Sequence, residues 1–144
     1  MAVVAVNLRE INLRREDIDA EVKIKNVTNN INLTNLKQVD FPLSDTGKAL
    51  VFSFEYKSDY EMSEPKEGVL GTIYMSGDVL FTEKKKVLDS ALKSWKDKQK
   101  VDDEVLLPVL QAAFNTVNIE AIYLSRKVLL PSPIQLPQIA PQKK

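Results

Sequence analysis

The sequence predicts an α+β fold, with a four-stranded antiparallel sheet packed against two C-terminal helices. Three observations carry that expectation. Residues 1–82 alternate apolar and polar side chains with a period of two, residues 83–130 repeat apolar side chains every three or four positions, and residues 131–144 are spaced by proline. Period two places one side of a strand on a core, whereas spacing of three and four places one stripe of a helix there. A chain of 144 residues has the length of one ordinary domain and can bury roughly two-thirds of its unfolded surface without staples. One domain spanning residues 1–144 is therefore expected: sheet over 1–82, helices over 83–130, and an extended tail over 131–144.

The strands follow in order. Val4, Val6 and Leu8 share one parity and Ile11 and Leu13 the other, the slip that a bulge in a long bent strand produces. Ile18, Ala20, Val22 and Ile24 alternate with charged neighbours. Asn29-Asn30 reads as a turn, because Asn tolerates the left-handed region, and Ile31, Leu33, Val39 and Phe41 resume the pattern as far as Pro42. Ser44-Asp45-Thr46-Gly47 is a second turn. Leu50, Phe52, Phe54 and Tyr56 then form the clearest apolar row, and the polar stretch Ser58–Glu67 reads as a connection. The last strand places Val69, Ile73, Met75, Val79 and Phe81 on one face, with Leu70, Tyr74 and Leu80 on the other. Gly71 and Gly77 within it indicate a bulge or the close approach of another element.

Helical spacing begins at Thr82, a candidate N-cap. Val87, Leu88, Ala91, Leu92 and Trp95 form one stripe among Lys84, Lys85, Lys86, Lys93, Lys96, Lys98 and Lys100. With Glu83, Asp89 and Asp97 interspersed and no row of aromatics, those lysines read as a solvated face and not as a phosphate track. Asp102-Asp103 opens a longer helix, favoured at the positive end of its dipole. Its expected buried stripe is Leu106, Leu110, Ala113, Val117, Ala121, Leu124 and Val128, with Pro108 marking a start or a bend. This stripe must lie on the sheet or on a second copy of the chain. Pro131, Pro133, Pro137 and Pro141 hold the tail extended, and Ile134, Leu136 and Ile139 give it a reason to dock.

Composition narrows the chemistry. The chain has no Cys and no His, which excludes thiol nucleophiles, cysteine-ligated metals and histidine-based triads. Lys and Arg number 20, matching 20 Asp and Glu, so no overall charge draws it to nucleic acid or an anionic membrane. Thr46-Gly47-Lys48 lacks the preceding glycine of a phosphate loop. Asp59, Glu61, Glu64 and Glu67 are a conceivable oxygen-ligand cluster for Mg²⁺ or Ca²⁺, but Lys57 and Lys66 among them favour a solvated loop. No catalytic residue, metal or cofactor is expected. No uninterrupted apolar run reaches the length of a membrane span, and no basic residue precedes the apolar start of the chain, so no signal peptide is expected. Asn26-Val27-Thr28 and Asn32-Leu33-Thr34 then read as chance triplets, and the expected location is the cytoplasm. What remains is apolar surface, suited to binding a polypeptide or a second copy.

Three stretches resemble the protein-export chaperone family SecB. Gly71-Thr-Ile-Tyr-Met-Ser-Gly77 resembles the glycine-flanked final strand of that family, Leu106-Leu-Pro-Val-Leu-Gln-Ala-Ala113 the start of its long helix, and Leu130-Pro-Ser-Pro-Ile-Gln-Leu-Pro-Gln-Ile139 its proline-rich ending. The resemblance covers residues 69–139. Ser125-Arg126-Lys127-Val128 stands where the family carries an R-G-G turn, and the acidic sheet patch that meets the translocation ATPase is not identifiable, which points to a distant relative. The resemblance implies dimers that pair into tetramers and an ATP-independent holdase whose apolar grooves accept unfolded chains. By position it places Phe52, Phe54, Tyr74, Met75, Leu129, Leu130 and Ile134 in or beside that groove. The alternative is a structural or adaptor protein of the same fold that oligomerises and binds one folded partner.

Overall fold

In a computed structural model of the chain, residues 3–18, 20–127, 130 and 131 are described. Four strands, β1 (Val3–Arg15), β2 (Lys23–Asp40), β3 (Lys48–Glu64) and β4 (Gly68–Phe81), precede two helices, α1 (Lys85–Lys98) and α2 (Asp103–Lys127). All pairings are antiparallel, in the order β1-β4-β3-β2, so β1 and β2 form the two edges. Residues 16–22 carry the chain from one edge to the other.

The inner face of the sheet is set by the central strands. Leu50, Phe52, Phe54, Tyr56 and Tyr60 of β3 and Ile73, Met75 and Val79 of β4 are all 0% exposed. The register pairs Phe52 with Val79 and Tyr56 with Met75, so the two rows share one face, and Phe52 meets Phe81 edge to face with centroids 5.9 Å apart. Each such side chain contributes about 1.5–3 kcal/mol by leaving water. The outer face carries polar pairs beside Val51, Val69 and Leu80: Ser53 Oγ donates to Asp78 (2.8 Å), Thr72 Oγ1 to Asp59 (2.9 Å) and Tyr74 Oη to Glu55 (3.1 Å). α2 lies over β4 and β1 with a smaller contact on β3, while α1 meets β2.

The fold is as expected, and the local differences have physical causes. The bulge read into β1 is present, as a register shift between Leu8 and Glu10. β1 also crosses β4 closely: a Cβ on Gly77 would sit 2.3 Å from the Asn7 carbonyl oxygen, and one on Gly71 2.6 Å from that of Arg14. Asn29-Asn30, expected to turn, instead continues β2. On an exposed edge Asn costs little, and shifts near Ile24 and Leu33 restore the inward parity. β3 runs on through Ser58 to Glu64 because Tyr60 and Met62 extend its apolar row, leaving a hairpin of three residues, 65–67. A shift after Tyr60 turns Leu70 inward and leaves Val69 48% exposed, reversing their expected faces.

Thr82 does not cap α1. Lys84 occupies the cap position without a side-chain hydrogen bond, and Thr82 donates to the Lys48 carbonyl. The α1 stripe is otherwise as expected, with Leu88 and Ala91 buried and Val87, Leu92 and Trp95 partly so. Of the expected α2 stripe, Ala113, Val117 and Ala121 are buried, Leu106, Leu110 and Leu124 are only half-buried, and Val128 lies outside the described residues; Val105, Val109 and Ser125 complete the buried row. Pro108 sits inside the helix, exposed.

Candidate polypeptide-binding surface

The row that α2 buries has a strict spacing of four. One residue turns an α-helix by about 100°, so such a row drifts roughly 40° per step and winds around the axis. Its members are small, which lets the helix backbone lie close to β4 and β1. The larger side chains are consequently displaced outward. Leu106, Leu110, Phe114 and Ile122 are half-buried on one flank, and Leu107, Gln111, Asn115, Ile119 and Tyr123 form a second row of four-residue spacing that is wholly exposed. Leu107 is 62% exposed, and Ile119 and Tyr123 are each 68% exposed. Gln111 Nε2 donates to Asn115 Oδ1 (2.9 Å), closing the polar gap in the exposed row. Asn118, the polar member of the half-buried row, keeps its Oδ1 buried without a hydrogen bond.

At the far end of α2, Ile122, Tyr123, Arg126 and Lys127 line a shallow depression of about 410 Å³. Lys127 Nζ lies 5.7 Å from the Tyr123 ring centroid, a cation–π contact. By length and composition alone α2 is apolar enough to cross a membrane, with mean hydropathy 1.4 over its best window; its inner row packs on the sheet of the same chain.

A second apolar area lies on the inner face of the sheet toward β2. Val27, Ile31 and Leu33 are half-buried there beside the fully buried Tyr56 and Tyr60. Tyr56 Oη donates to Asn29 Oδ1 (3.0 Å) and Tyr60 Oη to the Pro131 carbonyl. Burial pushes both tyrosine hydroxyls up from their ordinary ionisation range.

The residues that the resemblance placed at the groove are dispersed. Phe52, Phe54 and Met75 belong to the inner core and have no exposed surface in the single chain. Tyr74 is on the outer face, where desolvation, followed by its bond to Glu55, pushes its hydroxyl pKa up from the ordinary value. Leu130 is buried beside Gly71, 3.1 Å from where a Cβ on that glycine would stand. Leu129 and Ile134 lie outside the described residues. Sequence reasoning missed the exposed row of α2; the signal was there, since Leu106-Leu107, Leu110, Ile119 and Ile122-Tyr123 lie on more than one side of a helix. The four candidate carboxylates do not converge. Asp59 accepts from Thr72 and pairs with Lys57, Glu67 pairs with Lys25, and no three potential ligands meet among the described residues.

This fold, a four-stranded antiparallel sheet followed by a short and a long helix, is SecB-like. It is seen in the Mycobacterium tuberculosis Rv1957 SecB-like chaperone in complex with a ChAD peptide from the Rv1956 HigA1 antitoxin. That structure aligns over 98% of this chain and 91% of its own with a TM-score of 0.50 and 11% identity. At that identity the likeness establishes the fold. No family model matches the sequence, and no curated protein does.

Proposed function

We propose that this protein is a SecB-like polypeptide-binding chaperone that holds unfolded chains on apolar surface without ATP, has no catalytic role, and acts in the cytoplasm. The observation that carries this reading is the exposed apolar row of α2, Leu107, Ile119 and Tyr123, beside the half-buried Leu106, Leu110, Phe114 and Ile122. It occurs on a fold shared with a chaperone solved bound to a peptide. A helix that is apolar on several sides but buries only its small residues leaves surface for a partner. Two partners share it in this reading. A second copy covers part of the α2 face, giving a homo-oligomer, and the remaining apolar surface on the inner side, over the buried Phe52, Phe54, Met75 and Leu130, accepts an extended client, with Leu129 and Ile134 as further proposed contacts. Tyr74, on the outer face, is not part of that surface. Aromatic and branched aliphatic side chains suit such a client because they bind by area and not by fixed hydrogen bonds.

Light scattering tests it directly. The pure protein, without nucleotide, is expected to suppress aggregation of a chemically unfolded client and to elute well above its 16.3 kDa chain mass. A monomer that leaves aggregation unchanged refutes the reading. The peptide in the neighbouring structure comes from one antitoxin, which favours a second reading, an adaptor dedicated to one partner. That version retains oligomers but ignores generic unfolded chains.

A further inference from the structure

We infer that the outer edge of β2 takes an extended client segment as a fifth strand of the sheet, and that an uncharged segment between acidic ends fits it best. The inference deepens the chaperone reading and rests on it for the nature of the partner.

The two edges of the sheet are guarded very differently. Soluble proteins blunt their sheet edges with charges, prolines, bulges or shortness, because unpaired N–H and C=O groups recruit another strand. β1 is 13 residues long, carries Arg9, Glu10, Arg14 and Arg15, and is broken by register shifts at Val3/Ala5 and Leu8/Glu10. β2 is 18 residues long and its middle is scarcely guarded. Residues Asn26 to Leu36 hold no charge and no proline. Their register with β3 is unbroken from Asn26 to Leu33, the one shift within the run falling between Leu33 and Asn35. β2 stands last in the sheet order, so no described strand pairs with its other side. A fifth strand engages alternate residues of this run. Asn29, already holding the Tyr56 hydroxyl (3.0 Å), is not required among them.

The same run presents Val27, Ile31 and Leu33 half-buried on the inner face. A strand laid about 4.8 Å beyond β2 extends that face by one row and sets its alternate side chains beside these three. Its backbone bonds to the edge are the same whatever its sequence, which suits a protein that holds many clients.

Charge decides between the two occupants such an edge could take. The charged residues of β2 are Lys23 and Lys25 at one end and Lys37 and Asp40 at the other, and Asp40 is paired with Lys48. Lys25 approaches Glu67 only at 4.0 Å, with both side chains exposed, and Lys37 has Val51 opposite it on β3. Two copies of the run joined antiparallel about Ile31 would set Lys25 opposite Lys37 twice. Joined parallel and in register, they would set each lysine opposite itself. Like charges opposite one another destabilise a strand pair, so a second copy fits poorly. A client segment with acidic ends meets lysines at both ends instead.

The test uses the full chain. The probe is a fluorescent peptide with an 11-residue core, the length of Asn26–Leu36, alternating valine and threonine between paired aspartates. One companion peptide has paired lysines in place of the aspartates. Another is N-methylated along the whole core, which removes every backbone donor there and keeps the side chains. Hydrogen exchange followed by NMR reads the β2 amides in the same samples. The aspartate peptide is expected to bind, and the lysine form to bind severalfold less tightly. The methylated form should bind about tenfold less tightly or weaker still, since each lost hydrogen bond counts for roughly fivefold. On binding, alternate amides among residues 26–36 gain protection and those of β1 do not. Equal affinity of the methylated and unmethylated peptides, without added protection on β2, overturns the inference and leaves the chaperone reading standing. Equal affinity of the aspartate and lysine forms overturns the acidic preference. Alternate β2 amides already protected in a particle heavier than one chain would give the edge to a second copy, against the inference. If neither the peptides nor reduced, alkylated lactalbumin bind while the β2 amides exchange freely, the chaperone reading itself falls, and the inference with it.

Discussion

The two helices solve the same packing problem in opposite ways. α1 is amphipathic: Leu88 and Ala91 are buried, and lysines line its other side. Its apolar requirement is met within one chain. α2 is apolar on several sides, yet its buried row is Val, Val, Ala, Val, Ala and Ser, and its larger side chains face outward. α1 fills space on the sheet; α2 trades side-chain volume for close backbone approach. The contrast teaches that the hydrophobicity of a helix does not reveal which face is core. The volumes of its rows do, and the row that fits a flat sheet closely is the small one.

The ends of the helices differ too, and this gives the largest expected effect. α1 ends in a left-handed Gln99 whose N–H bonds to the Trp95 carbonyl, a purely backbone device. The chain leaving α2 is held by a buried phenol, Tyr60 on Pro131, with Tyr56 close by on the same strand. Burial raises both phenols above the ordinary value of 10.0. Above pH 10 the unfolded chain therefore releases protons that the folded chain still holds. The unfolded state then binds fewer protons, and stability falls as pH rises. The slope is up to about 1.4 kcal/mol per pH unit for each tyrosine. Urea melts between pH 9 and 12 are expected to show steep loss starting near 10. In Tyr60→Phe the slope becomes shallower, whereas an unchanged slope removes Tyr60 from the account.

Core substitutions separate the helices next. Leu88→Ala in α1 removes volume from a filled site and is expected to cost about 2–5 kcal/mol. Ala113→Leu in α2 adds volume where the helix already touches the sheet, and is expected to cost about 1–3 kcal/mol. Thermal melting reads both. A neutral Ala113→Leu would mean that α2 stands off the sheet, and the small-residue account of its outer face would fail with it.

Much of this was legible in the sequence. The period-two rows of β3 and β4 and the stripe of α1 are strong because each sets buried or half-buried apolar residues against a mostly polar opposite side. β2 was legible only in part: its bulges near Ile24 and Leu33 shift the parity, so one strand reads as two, and the Asn residues between them imitate a turn. In α2 the large residues Leu106, Leu110 and Leu124 drew the expected stripe toward them, although Val105, Val109 and Ser125 are the ones against the sheet. Periodicity weighs apolarity and is blind to how near two backbones come. The same limit applied to the candidate site. Phe52, Phe54 and Met75 were identifiable as apolar and inward-facing, but whether an inward face is core or groove depends on what else in the fold covers it.

The smallest effect on stability is expected where the helices differ most in exposure. Leu107→Ser, Ile119→Ser and Tyr123→Ser together change the exposed row of α2 and leave the buried row intact. Surface substitutions of this kind cost about 0.5 kcal/mol or less each, so the isolated chain should melt within a few degrees of wild type. Size and client retention are expected to respond instead. Light scattering should report a lighter particle, and aggregation of an unfolded client should resume. The matching control on α1, Lys93→Ala with Lys96→Ala, alters exposed charge and should change neither mass nor client retention. If the α2 variant melts far below wild type at unchanged mass, then Leu107, Ile119 and Tyr123 support the chain's own core. The two helices would then differ in composition alone and not in what they are for.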